Sequence, residues 1–570
     1  MRRTWLAGVF ATSALIVTFS TAITGCAQND TQPESFSGTV AVASAHPLAT
    51  DAGLEILAEG GNAFDAAIAV AASLGVVEPY SAGIGGGGFW LLYDADEKQY
   101  RFIDARETAP QSFHRDYYLD ETGNVDRDKA VNGATAGGIP GQPAAFAYIA
   151  EHYGKLPLTR SLADAIAQAS EGFPVDPHYQ KLMGYRLDAV QRYPSSASVF
   201  LDDGRIPEVG FTLKQPDLAN TLSSIANLGF DGFYRGPLAV TMVDEINKAG
   251  GDWTLNDLAS YEVKEREPVK VTLGDTQLIS APPPSSGGIA IAQMLKMLEP
   301  FDWQNMNEAD QVHLLAEVMR RAYRDRAEFL GDPDFVDVPM SKLISDERNS
   351  EWAASIDMNQ ATPSADLNGP KNIQEGFHTT HLSVVDSEGN RVSATLSINL
   401  PFGSAYTIPG TGVLLNNEMD DFSAKPGEPN AYGLVGNEAN AIAPGKRPLS
   451  SMSPSMLESE DSIAVLGTPG GSRIISMVFL GALEYLQEKP VESWVARPRI
   501  HHQYLPDVIQ HEPGVISDKA MTELKARGHT FRDVGREYGN MQAILIDKKS
   551  GEVTAASDPR GIGSAKVISQ

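Results

Sequence analysis

A mixed α/β fold is what this sequence predicts, and three observations predict it. Helical patterning dominates the chain before residue 340. β-type patterning takes over after 378, and a strand-like run at 39–43 precedes the first helices. The chain has 570 residues, 42% of them hydrophobic, which is ample for a large buried core and too long for one small domain. Charged residues make up 21% with no long polar tract, so the body is expected to be globular.

The first segment reads as a targeting signal rather than as fold. Arg2 and Arg3 precede an apolar stretch from Trp5 to about Ile23, and polar residues begin at Gln28. Its end, Ile23-Thr24-Gly25-Cys26, resembles a bacterial lipobox, the signal for lipid attachment to cysteine. Cys26 is the only cysteine, which excludes intrachain disulfides and a cysteine-based metal site or nucleophile in the body. The expectation is a signal peptide over 1–26, a lipid on Cys26, and a periplasmic or cell-surface protein held to a membrane through that anchor alone. No other segment is apolar for long enough to span a bilayer. Lys plus Arg total 45 against 73 Asp plus Glu, a formal net charge of −28. Such a surface repels phosphate backbones, so nucleic acid is not an expected partner.

Residues 27–38 read as a polar tether. Two helical patterns follow, near 49–59 and 63–75, broken by Gly60-Gly61-Asn62 as helix ends commonly require. Further helical runs fill 155–330; the clearest spans 310–330, apolar at helical spacing with many charges on its other face. Residues 340–378 are polar with scattered Pro, Asn and Gly, and read as an exposed linker open to cleavage. Beyond them, 381–385 and 392–398 are β-rich around Ser387-Glu388-Gly389.

This β-rich pair carries the chemistry. Arg391, Ser393, Thr395, Ser397 and Asn399 alternate with Val392, Ala394, Leu396 and Ile398, which puts the polar set on one face of a strand. Thr379, His381 and Ser383 share a face of the strand before it. Asp386-Ser387-Glu388-Gly389-Asn390 suits a three-residue hairpin loop with glycine in the left-handed position. Asp386 then faces Asn390, and the same register sets Thr379 opposite Ser397 with Asn399 one step along. A loop one residue shorter or longer would send Ser397 to the other side. On the hairpin alone, a sheet with a solvated polar face is the competing expectation.

Several motifs resemble the γ-glutamyltranspeptidase family. Residues 379–386, Thr379-Thr380-His381-Leu382-Ser383-Val384-Val385-Asp386, look like the start of its small subunit. The runs Gly412 to Ser423, Lys446 to Met452 and Gly467 to Arg473 match in the same order, and Gly85 to Phe89, Asp104 to Glu107 and Gly331-Asp332-Pro333 match earlier. The resemblance runs from about residue 39 to 570. It implies a four-layer αββα sandwich of the N-terminal-nucleophile hydrolases. It also implies self-cleavage between His378 and Thr379 into a large subunit, 27–378, and a small catalytic subunit, 379–570, that share one core.

The resemblance also implies roles. Thr379 is the nucleophile, and its own α-amino group, freed by the cut, is the base. Ser397 matches a position where the family carries a threonine that hydrogen-bonds the nucleophile; serine keeps the hydroxyl and loses the methyl. Gly470 and Gly471 match the oxyanion residues. Arg106, Ser450 and Ser451 would bind the α-carboxylate of a γ-glutamyl group, and Asn399, Glu418 and Asp421 its ammonium. Tyr432, in 429–436, matches the lid loop of bacterial members. Without the resemblance, Arg106 reads as one half of a surface ion pair. The expected activity is γ-glutamyl transfer from glutathione and related compounds to water, amino acids or peptides, with no cofactor and no metal.

Other signals point elsewhere and are discounted. Gly83 to Gly88 fits G-x-G-x-x-G, but a strand-like run follows where that fingerprint needs a helix, so close backbone packing is expected. His501, His502 and His511 lack a supporting carboxylate pattern and read as structural histidines. The rival enzyme is a cephalosporin or glutaryl acylase of the same fold, and a further rival is a non-enzymatic lipoprotein that keeps the fold as a binding module.

Overall fold

The computed structural model describes residues 38–367, 379–425, 431, 436 and 438–569. Strands that build the core are β1 (Thr39–Ser44), β2 (Gly87–Asp94), β3 (Gln99–Ala105), β4 (Lys264–Arg266), β5 (Val269–Leu273), β6 (Thr276–Ser280), β7 (Thr380–Val385), β8 (Arg391–Ser397), β9 (Ser455–Glu458), β10 (Ser462–Gly467), β11 (Gln542–Asp547), β12 (Val553–Ser557) and β13 (Ser564–Ser569). They form two antiparallel sheets, one ordered β13-β1-β7-β8-β2-β3-β4 and the other β12-β11-β10-β9-β6-β5. Both sheets combine strands from before and after Thr379. The first sheet places β1 between β13 and β7.

Helices cover both outer faces. α1 (Pro47–Ala58) and α2 (Ala63–Val77) pack on the first sheet, α2 directly against β7 and β8. α3 (Gly287–Leu298) and α5 (Ile474–Tyr485) pack on the second, and α4 (Glu308–Phe329) packs on α3. The result is the four-layer αββα sandwich. Local chemistry sets its parts. Asn62 caps α2 by accepting from Phe64 and Asp65 N–H, and Asp65 returns a bond to Asn62 N–H. α2 is apolar almost all round, as a helix buried on every side must be.

The β7–β8 hairpin has the expected register. Arg391 faces Val385, Thr395 faces His381 and Leu396 faces Thr380, so Thr379 and Ser397 come next. Asp386 closes the three-residue loop, accepting from Glu388 and Asn390 N–H at 2.9 Å each, and Gly389 takes φ 94°. The second Asp386 oxygen accepts from Ala63 N–H at 2.9 Å, tying the loop to the start of α2.

Three sequence expectations change. The polar face of the hairpin is not solvated: it lies between the sheets, where Ser393 donates to Leu466 O at 3.1 Å and Ser383 to Gln542 O at 3.2 Å. The charged face of α4 is buried as well, since Glu317, Arg320, Arg321, Asp325 and Arg326 are all covered; Arg348, for one, meets Asp325 at 2.8 Å. The stretch after 340 is not a bare linker. It carries helices Met340–Leu343 and Asp346–Ala354, the second capped by Ser345, and both dock on α3 through buried Leu343 and Ala353. Capping and docking fold a segment whose polar composition alone reads as loop.

Candidate active site

Thr379 stands immediately before β7, almost fully buried, and its Oγ1 accepts a hydrogen bond from Gly470 N–H at 3.1 Å. Ser397, at the end of β8, lines the same cavity. Its Oγ accepts a hydrogen bond from Asn399 N–H at 2.8 Å. Gly470 and Gly471 turn the chain from β10 into α5 with φ 143° and 57°, a backbone course that favours glycine. A side chain at Gly470 would also press on Met477, 2.5 Å from its Cε. The Gly470 amide, just before α5, thus points at the Thr379 hydroxyl, where the helix end adds partial positive charge.

Beside Thr379 lies a buried set of charges. Arg106 leaves the end of β3 and is only 1% exposed. Its guanidinium meets Glu418 at 2.8 Å, forms a close ion pair with Asp421, and donates to Pro448 O at 3.3 Å. The ion pair read from sequence therefore exists, but in the interior rather than at the surface. Burial pushes the Glu418 carboxyl up to about 7, although Arg106 opposes the shift. Asn399 takes φ 73°, a left-handed position that asparagine tolerates, and donates from Nδ2 to Asn417 O at 2.8 Å. Ser450 and Ser451 close the far wall; Ser450 Oγ accepts from Met452 N–H at 3.1 Å.

One cavity thus gathers Thr379, Ser397, Asn399, Arg106, Asp421, Ser450, Ser451 and Gly471. Glu418 lies behind it on Arg106. Gly470 lines a second cavity, which Thr379 shares with the first. Cys26, His378 and Tyr432 lie outside the described residues. Two residues escaped sequence reasoning. Arg326 reaches the first cavity from α4, five positions before the Gly331-Asp332-Pro333 motif that could have flagged it. Glu78, the lone acid closing apolar α2, accepts from Thr380 Oγ1 at 2.7 Å and lines the second cavity with Thr379; burial pushes its carboxyl up to about 7.

The discounted signals have structural explanations. An added Cβ at Gly85 would lie 2.0 Å from Leu414 O and at Gly86 2.1 Å from Ser397 O, so these glycines serve close packing beside β2. His501 bonds Ser476 and Gln503 at 2.8 Å each, His502 bonds Asp507 at 3.3 Å, and His511 bonds Glu512 O at 2.9 Å. Among the described residues, no group of three His, Cys, Asp or Glu is placed to hold a metal ion.

Comparison with known proteins gives a consistent result. Residues 49–568 match a family model described as gamma-glutamyltranspeptidase. The chain is 42% identical to a glutathione hydrolase proenzyme of Pseudomonas aeruginosa, covering 97% of this chain and 99% of that one. It is 41% identical to a glutathione hydrolase proenzyme of Escherichia coli, covering 91% and 90%. Among solved structures it resembles cephalosporin acylase from Bacillus halodurans, with TM-score 0.81 and 29% identity over 93% of this chain and 95% of that one.

Proposed function

For a chain that belongs to the γ-glutamyltranspeptidase family, we propose one threonine chemistry used twice, first on its own backbone and then on substrate. The protein is a γ-glutamyltransferase and glutathione hydrolase of the N-terminal-nucleophile type. In the first use, Thr379 Oγ1 attacks the His378 carbonyl carbon, and the peptide nitrogen leaves as the free amine of Thr379. Water then hydrolyses the resulting ester, returning the hydroxyl and leaving a carboxylate on residue 378. The fragments 27–378 and 379–570 stay together because their strands share both sheets.

The cut creates the base. An amide nitrogen cannot take a proton from Oγ1, whereas an α-amine of pKa near ~7.7–8 is largely neutral at mildly alkaline pH. In turnover Oγ1 attacks the γ-carbonyl, the oxyanion meets the Gly470 and Gly471 amides, and the leaving amine takes the proton. Water or an acceptor amine then resolves the acyl-enzyme. Ser397 steadies the site from across the hairpin.

The observation that carries this reading is the position of Thr379 Oγ1, 3.1 Å from Gly470 N–H, at the edge of a cavity holding Arg106 and Asp421. A γ-glutamyl head bears both a carboxylate and an ammonium, and this cavity offers both opposite charges. Arg106, Ser450 and Ser451 take the carboxylate; Asn399, Glu418 and Asp421 take the ammonium. The leaving group and the acceptor then lie in the second cavity. Its wall mixes Lys181, Arg536 and Arg560 with Glu78 and Glu537, which suits zwitterionic amino acids or peptides. The lid-loop resemblance of 429–436 gives Tyr432 the role of covering the bound glutamyl group. The lipobox-like end at Cys26 supports a lipid anchor and a periplasmic or cell-surface location.

The similarity to a cephalosporin acylase keeps one second reading in view. A glutaryl donor has no ammonium, so Glu418 and Asp421 would keep Arg106 as their cation and gain none from the substrate. γ-Glutamyl-p-nitroanilide should be turned over at least about tenfold faster than glutaryl-p-nitroanilide; the reverse preference overturns the assignment. N-terminal sequencing of the smaller fragment should begin at Thr379, and one uncut, active band would refute the mechanism.

A further inference from the structure

Arg326 projects from the last turn of α4 into the cavity of Thr379 and Arg106, and is 4% exposed. Its Nε donates to Ser286 Oγ at 3.0 Å and its Nη2 to Ser451 Oγ at 3.4 Å. Among the described residues no carboxylate stands within ion-pair distance of it. Arg106, by contrast, already meets Glu418 and Asp421. The cavity therefore holds one guanidinium matched by acids and one matched only by hydroxyls. Burial pulls the Arg326 guanidinium down to about 10, with Tyr323 and Asp421 opposing, so it remains charged at neutral pH.

Hydrogen-bond direction gives this charge a function. A guanidinium can only donate, while a serine hydroxyl has one proton to give and two lone pairs. Ser451 Oγ accepts from Arg326, so its own proton is turned away from the arginine. Ser286 accepts from the same arginine and passes its proton to Ser450 O at 2.7 Å. Ser450 Oγ accepts from Met452 N–H, which leaves its proton to be donated as well. Both serines of the far wall thus have acceptor sites filled from behind and a proton to offer the cavity. A wall of directed donors backed by an unmatched cation fits an anionic group and rejects a neutral donor.

Resting on the γ-glutamyl reading above, we infer that Arg326 is a positioning residue that sets the site's demand for an α-carboxylate, acting through Ser451 and through its own charge. The test uses the mature enzyme and two donors, γ-glutamyl-p-nitroanilide and 4-aminobutyryl-p-nitroanilide, which lacks only the α-carboxylate. Arg326→Gln should raise KM for the γ-glutamyl donor about ten- to a hundredfold, with a smaller change in kcat. The ratio of kcat/KM between the two donors should fall about tenfold or more. Arg326→Lys, which keeps charge, should recover part of the ratio, and Ser451→Ala should lower it in the same direction. Should Arg326→Gln fail to fold, the lysine and alanine variants carry the same test. Equal losses on both donors, or an unchanged ratio in Ser451→Ala, would overturn the inference. A wild type inactive on γ-glutamyl-p-nitroanilide would instead refute the activity itself.

Discussion

The hairpin that bears Thr379 and the cavity that faces it are built in opposite ways. The hairpin is local: a three-residue loop, a period of two and one register bring Thr379 and Ser397 together. The cavity is assembled from segments far apart in the chain. Arg106 reaches across 315 positions to Asp421, and Arg326 across 125 to Ser451. The hairpin presents the Thr379 hydroxyl to the Gly470 amide. The cavity instead balances buried charges against one another, and a buried charge persists only where such partners exist. The pairing of Thr379 with Ser397 is thus encoded within one hairpin, and the cavity over most of the chain.

If that division is right, damage to the hairpin side should act on kcat and damage to the cavity should act on KM. The largest effect is expected from Thr379→Ala, which removes the attacking oxygen for both uses. No cleaved fragments should appear on a denaturing gel, and turnover should fall by about 10⁶-fold or to background. Retained processing would break the link between cutting and catalysis. Next comes Gly470→Ala. Its φ of 143° is strained for alanine and its amide is the donor nearest Oγ1, so kcat should fall about 10²–10³-fold in steady-state assays. A change confined to KM would deny that amide an oxyanion role.

A smaller effect is expected in the cavity from Arg106→Lys. Deleting the charge outright would leave Glu418 and Asp421 buried and uncompensated, confusing binding with folding. Lysine keeps the charge and loses the planar fork. KM for a γ-glutamyl donor should rise about tenfold with kcat little altered. A kcat effect as large as the KM effect would blur the distinction between the two regions.

The same division explains what the sequence disclosed. Alternation in 391–399 and the Asp386–Asn390 loop placed Thr379 opposite Ser397, because register is a local property. Arg326 stayed hidden because helical periodicity marks a charged face without saying what covers it; here that face is buried rather than wet. Arg106 read as a surface pair for the same reason, its partners lying beyond any local window. The helices after 340 were missed because their few apolar residues matter only once docked on α3. The αββα architecture itself came from motif resemblance, since no local pattern says which strands from the two halves of the chain will be neighbours.

Glu78 lies where the two regions meet, and its effect should be the smallest. It belongs to the end of α2, yet it holds Thr380, the residue after Thr379, through a 2.7 Å bond. Burial raises its carboxyl from 4.5 to about 7, so the folded chain keeps a proton that the unfolded chain releases between those values. Its contribution to stability is therefore fully present below about pH 4.5 and is lost as pH rises through about 7. Glu78→Gln carries an amide that cannot ionise and can still accept from Thr380. Thermal unfolding of the variant and the parent should coincide near pH 5 and separate by pH 8, the variant being more stable by about 1–2 kcal/mol. That figure is discounted for water reaching the carboxyl from the adjoining cavity. Parallel stability curves across this range would mean that the carboxyl is solvated and that the wall beside Thr379 is wetter than its packing implies.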